Sequence, residues 1–413
     1  MQFLYNFSIY SSFFIIWLVQ FFSKKMKLFM DGRKDVFKTL ESSLNPDNKT
    51  IWFHCASLGE FEQGVPLMEA LKVKYPKHKL IISFFSPSGY EVKKNDPIAD
   101  VIVYLPLDTP KNARKFIQLT HPSLTVFIKY EFWPNYLFQL KKREIKTLLV
   151  SGLFRENQLF FKPYGGFMRK ALQSFDHFFV QDEVSVTLLQ QLNLNNITLS
   201  GDTRFDRVSN QLKQDNNLDF VSEFKQDATC IVCGSTWPED EQVLLDYINS
   251  APENVKFIIA PHKIDFQKID IFRESIQKDV ILYSEKKDKD LSKYSVLIVD
   301  TIGLLTKIYS YADVAYVGGA MGSTGLHNIL EPITFGVPII IGQNFEKFPE
   351  AKSLLNLNGL FKISNASECS KILTKLVSDV DFRNQTGRIA EQFAKSNIGA
   401  TKKVIDYIDS YKG

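Results

Sequence analysis

Short, continuous apolar runs alternate along the chain with longer segments of helical spacing. The runs Thr50 to Phe53, Lys79 to Phe85, Val101 to Leu105, Leu124 to Ile128, Thr147 to Ser151 and His177 to Gln181 are rich in β-branched and aromatic residues. Uninterrupted apolar stretches of that length suit parallel strands buried on both faces. Between them, stretches such as Gly64 to Tyr75 and Pro110 to Leu119 have the length and period of helices. The repetition of strand and helix predicts a doubly wound α/β domain over residues 45–205. A second series starts at Ala228 with CIVCG, VKFIIAP, VILY, SVLIVD, VAYVGG and VPIIIG, and has a helix at Glu239 to Ser250. The stretch between, VSNQLKQDNNLDFVSEFKQD, is polar and without strong period, so it reads as the connection between domains. The expected division is 1–27 a membrane anchor, 28–208 and 209–385 two Rossmann-like domains, and 386–413 a terminal helix that can pack back on the first domain.

Composition narrows this picture only in places. A length of 413 residues fits about two domains, and 45% hydrophobic with 23% charged residues is ordinary for a globular chain. The 35 phenylalanines favour some apolar surface made for lipid, while a net charge of +4 is too mild to imply nucleic acid. Cys55, Cys230, Cys233 and Cys369 are too few and scattered for a disulfide framework. Cys230 and Cys233 form a CxxC inside an apolar run with no second ligand pair, so no metal site is expected.

The segment Phe3 to Phe22 carries no charged residue and is about the length of a bilayer crossing. Lys24, Lys25 and Lys27 follow at once, then Arg33 and Lys34, which places the remainder of the chain in the cytoplasm. Without a basic region before it or a small-residue cleavage site after it, a cleaved signal peptide fits poorly. Asn6, Ser8, Ser11, Ser12 and Gln20 weaken it as a span, so a monotopic anchor competes, with a buried core helix as the third reading.

Doubly wound sheets bind ligands beyond the carboxyl ends of their strands. Glu60 follows the first strand, close to Ser57 and Gly59 and just before a helix expected near Gln63, where a carboxylate can act as general base or merely complement the helix dipole. Ser86 and Ser88 in FSPSGYE offer donors after the next strand. Glu131 in YEFWPN is a second carboxylate, with Trp133 read as packing. Arg155, Lys162, Arg169 and Lys170 mix with Phe154, Phe160, Phe161, Tyr164 and Phe167, a composition that suits an anionic, lipid-linked acceptor or a solvated basic helix. In the second series Ser235 and Thr236 either bind phosphate or cap a helix, and His262 and Lys263 follow another strand. The stretch YVGGAMGSTGLHNILEP joins a turn containing Gly318, Gly319, Gly322, Ser323 and Gly325 to a helix expected to carry Asn328 and Glu331 on one face. That layout suits a nucleotide phosphate with a carboxylate for a ribose, or else a tight turn alone. It matches neither GxGxxG nor a Walker loop.

HCASLGEFEQGVPL, FSPSGYE, YLPLDTP, YEFWPN, SGLFRENQ, FVQDE, GDTRFD, GSTWPEDE, APHK and GGAMGSTGLHNILEP occur in this order over nearly the whole chain. Together they resemble the 3-deoxy-D-manno-octulosonic acid (Kdo) transferases of lipopolysaccharide assembly. The resemblance implies an inverting GT-B glycosyltransferase with two Rossmann-like domains facing across a cleft and an N-terminal membrane-anchoring helix. It implies CMP-Kdo as donor, a lipid A precursor (lipid IVA) as acceptor, no metal or cofactor, no nucleic acid, and a place on the cytoplasmic face of the inner membrane. By the same resemblance Glu60 is the general base with Glu131 beside it. Ser57, Gly59, Ser86, Ser88, Arg155 and Lys162 face the acceptor. Ser235, Thr236, His262, Lys263, Gly319, Gly322, Ser323, Gly325, Asn328 and Glu331 hold the nucleotide. The chain departs from the family pattern at Lys129, where an acid is frequent, at Trp237 and Pro238, and at Arg204. Two other readings are a GT-B transferase or epimerase using a UDP-sugar, and a catalytically silent membrane-associated binding module.

Overall fold

The computed structural model describes residues 1–412. Two units divide the chain, one made of residues 1–207 and 398–413 and the other of residues 208–397. The first is built on seven strands, β1 (Lys49–Cys55), β2 (His78–Phe84), β3 (Val101–Tyr104), β4 (Pro122–Ile128), β5 (Lys146–Gly152), β6 (His177–Val180) and β7 (Ile197–Leu199). They pair in the order β3-β2-β1-β4-β5-β6-β7, parallel throughout. The second unit holds β8 (Thr229–Thr236), β9 (Val255–Pro261), β10 (Val280–Leu282), β11 (Val296–Ile298), β12 (Val314–Val317), β13 (Ile339–Gly342) and β14 (Leu360–Ile363). Their order is β10-β11-β9-β8-β12-β13-β14, again parallel. Each sheet has a switch point, between β1 and β4 and between β8 and β12, and the crevice beyond such a point is where doubly wound sheets hold ligands.

The apolar runs form strands because helices cover both faces of each sheet. Trp52 of β1 is fully buried, its ring 4.9 Å from that of Phe116, 5.4 Å from Phe127 and 5.8 Å from Tyr136. Burying each aromatic of this kind stabilises the fold by about 1.5–3 kcal/mol. The Pro110–Thr120 helix starts where the Thr109 hydroxyl accepts from the Asn112 amide at 3.2 Å, and it turns Ala113, Phe116, Ile117 and Thr120 inward.

Several expected boundaries move. The helix after β1 runs Leu58–Lys74, so it begins five residues before Gln63 and places Glu60 in its first turn. β7 and β14 were not anticipated, because they are edge strands of only three and four residues, each interrupted by a polar side chain. The stretch read as a plain connection contains a helix at Asp219–Lys225, whose Val221 and Phe224 are buried. The terminal segment is two helices, Val380–Ser396 and Ala400–Lys412. The second of these belongs to the first unit: Val404 and Ile408 join the core with Leu67 and Leu71, and the Asp206 carboxylate accepts the Gly399 and Thr401 amides, each at 2.6 Å. All four cysteines are buried free thiols.

The chain opens with α1 (Gln2–Val19), which buries no residue and is the one helix among the described residues long and apolar enough to cross a membrane by length and composition. A short turn leads to α2 (Lys24–Asp31), whose Phe29 and Met30 are buried.

Candidate functional site

In the first unit the sequence-predicted residues gather at the ends of β2, β1, β4 and β5, four strands that stand side by side. Ser57 precedes the Leu58–Lys74 helix, and its hydroxyl donates to Glu60 Oε2. Glu60 is half-buried and Gly59 exposed. The Ser86 amide donates to the Ala56 carbonyl at 2.8 Å, and the Ser86 hydroxyl accepts the Ser88 amide at 3.3 Å. A side chain at Gly89 would come within 2.9 Å of the Ser57 backbone, so its absence lets the two strand-end loops touch. Arg155 is exposed, its guanidinium carbon 6.0 Å from the Tyr130 ring centre. Lys162 lies farther along the same loop, half-buried, with its carbonyl held by Arg169 at 2.8 Å. The expected basic helix is instead this loop followed by a helix at Gly166–Leu172.

Glu131 has a buried partner that sequence reasoning missed. His54 of β1, fully buried, bonds through Nε2 to Glu131 Oε2 at 3.0 Å, and through Nδ1 to the Ser83 hydroxyl at 2.8 Å. Trp52 Nε1 donates to the same Ser83 hydroxyl at 2.8 Å. A consistent proton arrangement follows: Trp52 donates to Ser83, Ser83 to His54 Nδ1, and His54 Nε2–H to Glu131. Trp133, expected only to pack, also donates to Glu131 Oε2, at 2.7 Å, while its ring lies 4.7 Å from Phe85. In a strand buried on both faces nothing singles out His54; only the register of β1 against β2 brings it to Ser83.

In the second unit the ends of β9, β8 and β12 bring together His262, Ser235 and the glycine-rich loop. The His262 and His327 rings stack with centroids 4.2 Å apart, and Trp237 stacks on His262 at 4.9 Å while its Nε1 donates to His327 Nε2 at 3.0 Å. Burial, then the neighbouring His262, holds the His327 pKa down to about 4. Burial and Lys263 lower that of His262 as well. Lys263 is exposed, its ammonium 4.9 Å from the Trp237 ring centre. Non-glycine residues with left-handed backbone stand at three strand ends, Lys129 (φ 73), Ser151 (φ 55) and Ser235 (φ 55). Such conformations cost about 1–2 kcal/mol each and concentrate where loops are shaped for ligands.

Three expectations for this half are corrected. The helix after the glycine-rich loop is only Leu330–Thr334, so Asn328 precedes it rather than sharing a face with Glu331. Asn328 still reaches Glu331, its Nδ2 donating to Oε1 at 3.1 Å, while Thr306 donates to Oε2 at 3.0 Å. The Gly319 amide is taken by Asp240 Oδ2 at 2.8 Å, so it is not a phosphate donor. Asp240 also accepts the Tyr316 hydroxyl and the Trp237 amide, at 2.8 and 2.9 Å; it is fully buried and burial raises its pKa. The Thr236 hydroxyl does not cap the Pro238–Ser250 helix; its proton goes to Glu241 at 2.9 Å. Gly322, Ser323 and Gly325 lie in the irregular segment before the short helix, with Ser323 exposed. Its backbone is tied down by Asn344, whose side chain donates to the Met321 and Gly322 carbonyls at 3.2 and 2.9 Å.

The motif GDTRFD resolves into internal fastenings. Arg204 grips Asp202 at 2.7 Å, Gln63 donates to the same carboxylate at 3.1 Å, and the Thr203 hydroxyl donates to the Gln63 carbonyl at 2.6 Å.

Solved structures with this arrangement of elements include UDP-GlcNAc 2-epimerase from Neisseria meningitidis, with a TM-score of 0.62 at 12% identity over 87% of this chain and all of that one. MurG from Acinetobacter baumannii gives 0.54 at 12% identity over 88% and 99%. At such identities the likeness is one of fold alone, the GT-B glycosyltransferase-like fold. The family model described as 3-Deoxy-D-manno-octulosonic-acid transferase (kdotransferase) matches residues 31–207. Relatives named 3-deoxy-D-manno-octulosonic acid transferase extend the likeness through the second unit. That of Chlamydophila psittaci is 27% identical over 80% of this chain and 78% of its own length, and that of Haemophilus influenzae 24% identical over 89% and 88%. Over most of its length the chain is thus similar to Kdo transferases.

Proposed function

We propose that the chain transfers Kdo from CMP-Kdo to a lipid A precursor, lipid IVA, inverting the anomeric centre, at the cytoplasmic face of the inner membrane. The observation that carries this reading is Glu60, a half-buried carboxylate oriented by the Ser57 hydroxyl at the switch point of the first sheet. Similarity to the Kdo transferases supports the donor and acceptor. Glu60 takes the proton of an acceptor glucosamine hydroxyl, and that oxygen bonds to the anomeric carbon of Kdo. The bond from this carbon to the phosphate oxygen breaks, and CMP leaves with the electron pair. Glu131, held by His54 and Trp133, and the donors of Ser86 and Ser88 orient the acceptor, with Arg155 and Lys162 toward its phosphate. Lys263, Ser235 and the loop Gly322 to Gly325 meet the charge on CMP, and Asn328 with Glu331 holds the ribose. The apolar α1 with the lysines after it supports attachment to the membrane.

Incubation with CMP-Kdo and lipid IVA, read by mass spectrometry, tests the reaction. Glu60→Gln is expected to keep CMP binding and to lose turnover by about 10²–10⁴-fold. Near-normal transfer by that variant rejects the assignment of the base. Competition by UDP but not by CMP moves the chain to the UDP-sugar reading, and no nucleotide binding at all moves it to the silent module.

A further inference from the structure

α1 is fastened to the body of the first unit at its beginning. The Tyr5 hydroxyl donates to Asp108 Oδ2 at 2.7 Å, Asn135 Nδ2 donates to Asn6 Oδ1 at 2.9 Å, and the Tyr5 ring packs on Phe167 with centroids 5.4 Å apart. Asp108 also accepts the Asn135 and Tyr136 amides, both at 3.1 Å. Burial raises its pKa to about 6, so at neutral pH it is an anion that accepts all three. After α2 the chain rejoins the body at Arg33, whose guanidinium donates to the Leu105 and Phe85 carbonyls at 2.9 and 2.6 Å. Leu105 and Asp108 are three residues apart, hence no more than about 11 Å. The segment from Phe7 to Leu28 therefore leaves and rejoins the first unit at one place, with Phe29 already buried against the body, its ring 5.3 Å from that of Phe85.

A span does not fit these fastenings. From Tyr5 to Val19 a helix rises about 21 Å, whereas the hydrocarbon core is about 30 Å thick. The far end of α1 leads directly into Lys24, Lys25 and Lys27, all exposed, and ammonium groups do not enter hydrocarbon without a partner. Of the half-buried positions from Tyr5 to Gln20, Tyr5, Ile9, Ile16 and Gln20 form one stripe at helical spacing, with Asn6 and Ser11 outside it, while Phe3, Phe7, Phe14 and Trp17 are exposed around it and Phe21 and Phe22 just beyond.

We propose that α1 and α2 form a monotopic hairpin that lies in one leaflet of an anionic bilayer, with both of its roots and all three lysines on the same side. The aromatic side chains enter the acyl boundary and the lysines meet headgroup phosphates. This rests on the membrane reading above and specifies how that attachment is made.

Two measurements on the full chain separate the hairpin from the attachment itself. Flotation with sealed vesicles of phosphatidylethanolamine and phosphatidylglycerol reads attachment. Phe21→Ser with Phe22→Ser is expected to weaken it at least about tenfold, and replacing Lys24, Lys25 and Lys27 by Gln to remove roughly fivefold per lysine, a loss absent with phosphatidylcholine alone. No flotation by the unaltered chain rejects the membrane reading and the hairpin with it. A membrane-impermeant maleimide reads topology, since the native cysteines are all buried. Gln2→Cys and, on the second unit, the exposed Ser310→Cys are each labelled in spheroplasts and in inverted vesicles. The hairpin requires both to react in inverted vesicles and neither in spheroplasts. Reaction of Gln2→Cys from the opposite side, or its protection from both sides while Ser310→Cys reacts, overturns the hairpin even where flotation succeeds.

Discussion

Glu60 and Glu131 both follow a strand and both are acids, yet their surroundings differ. Glu60 takes one hydroxyl and stays half-open, whereas Glu131 is held by a buried histidine and an indole. The difference leaves Glu60 half-accessible and holds the Glu131 side chain in one orientation. His54→Phe keeps the ring volume but removes the bonds to Ser83 and Glu131, so both lose a partner. An unpaired buried polar group costs about 1–3 kcal/mol, and denaturant unfolding is expected to show a loss in that range. A change within error would mean that water replaces the histidine. The place of Glu60 just after a strand was legible because it can be found by position alone. His54, Ser83 and Asp240 were not, because they look like ordinary interior or helix-start residues until register places them against partners far away in sequence.

Among the elements, the glycine-rich loop is shaped first by the protein's own backbone. Gly319 has φ +95, and a Cβ there would lie 2.2 Å from the Gly325 carbonyl oxygen and 2.8 Å from His327. Gly318 is as confined, since its Cβ would meet the Ser235 carbonyl oxygen at 2.4 Å. Gly319→Ala is expected to cost about 2–4 kcal/mol from strain and clash. Gly303→Ala, at φ +96 with nothing within 4 Å, is the control, expected to cost about 1–2 kcal/mol from conformation alone. Thermal unfolding compares them, and equal losses would remove the packing argument. The alternation of apolar runs revealed twelve strands by pattern. It could not reveal β7 and β14, whose identity comes from pairing with β6 and β13 rather than from their own few residues. The helix expected after the loop is short for a similar reason: the segment from Gly319 to Asn328 is tied by Asp240, Asn344 and Gly318 to its neighbours instead of to its own turns.

At the scale of the whole molecule, each unit carries a histidine that folding keeps neutral. Burial and then Lys146 hold His177 at about 4, as burial and His262 hold His327. An unfolded histidine titrates near 6.5. Above that pH neither state binds a proton, and the contribution of both groups is complete. As pH falls from about 6.5 to about 4 the unfolded chain takes protons that the folded chain refuses, so stability is lost across that window and no further below it. Asp108, Asp240 and Glu241, raised by burial, pull in the opposite direction. The prediction is therefore a difference: replacing both histidines by Asn should make the decline between pH 6.5 and 4 shallower than in the unaltered chain. Parallel pH profiles would refute it. Two sheets and their site-bearing ends were readable from apolar period and motif order, since both are local signals. Ownership of the last helix was not, because its apolar stripe reveals that it packs without revealing on what.

That last helix sets an order on biosynthesis. The first unit is written in two pieces separated by the whole of the second, so a ribosome finishes the second unit while the first still lacks Val404, Ile408 and the segment that Asp206 grips. Until the Ala400–Lys412 helix emerges, the apolar surface beside Leu67, Leu71 and Phe179 has no cover. A nascent chain stalled late, or a gene fragment ending at residue 207 where the family match ends, is thus a client for chaperones rather than a domain ready to use.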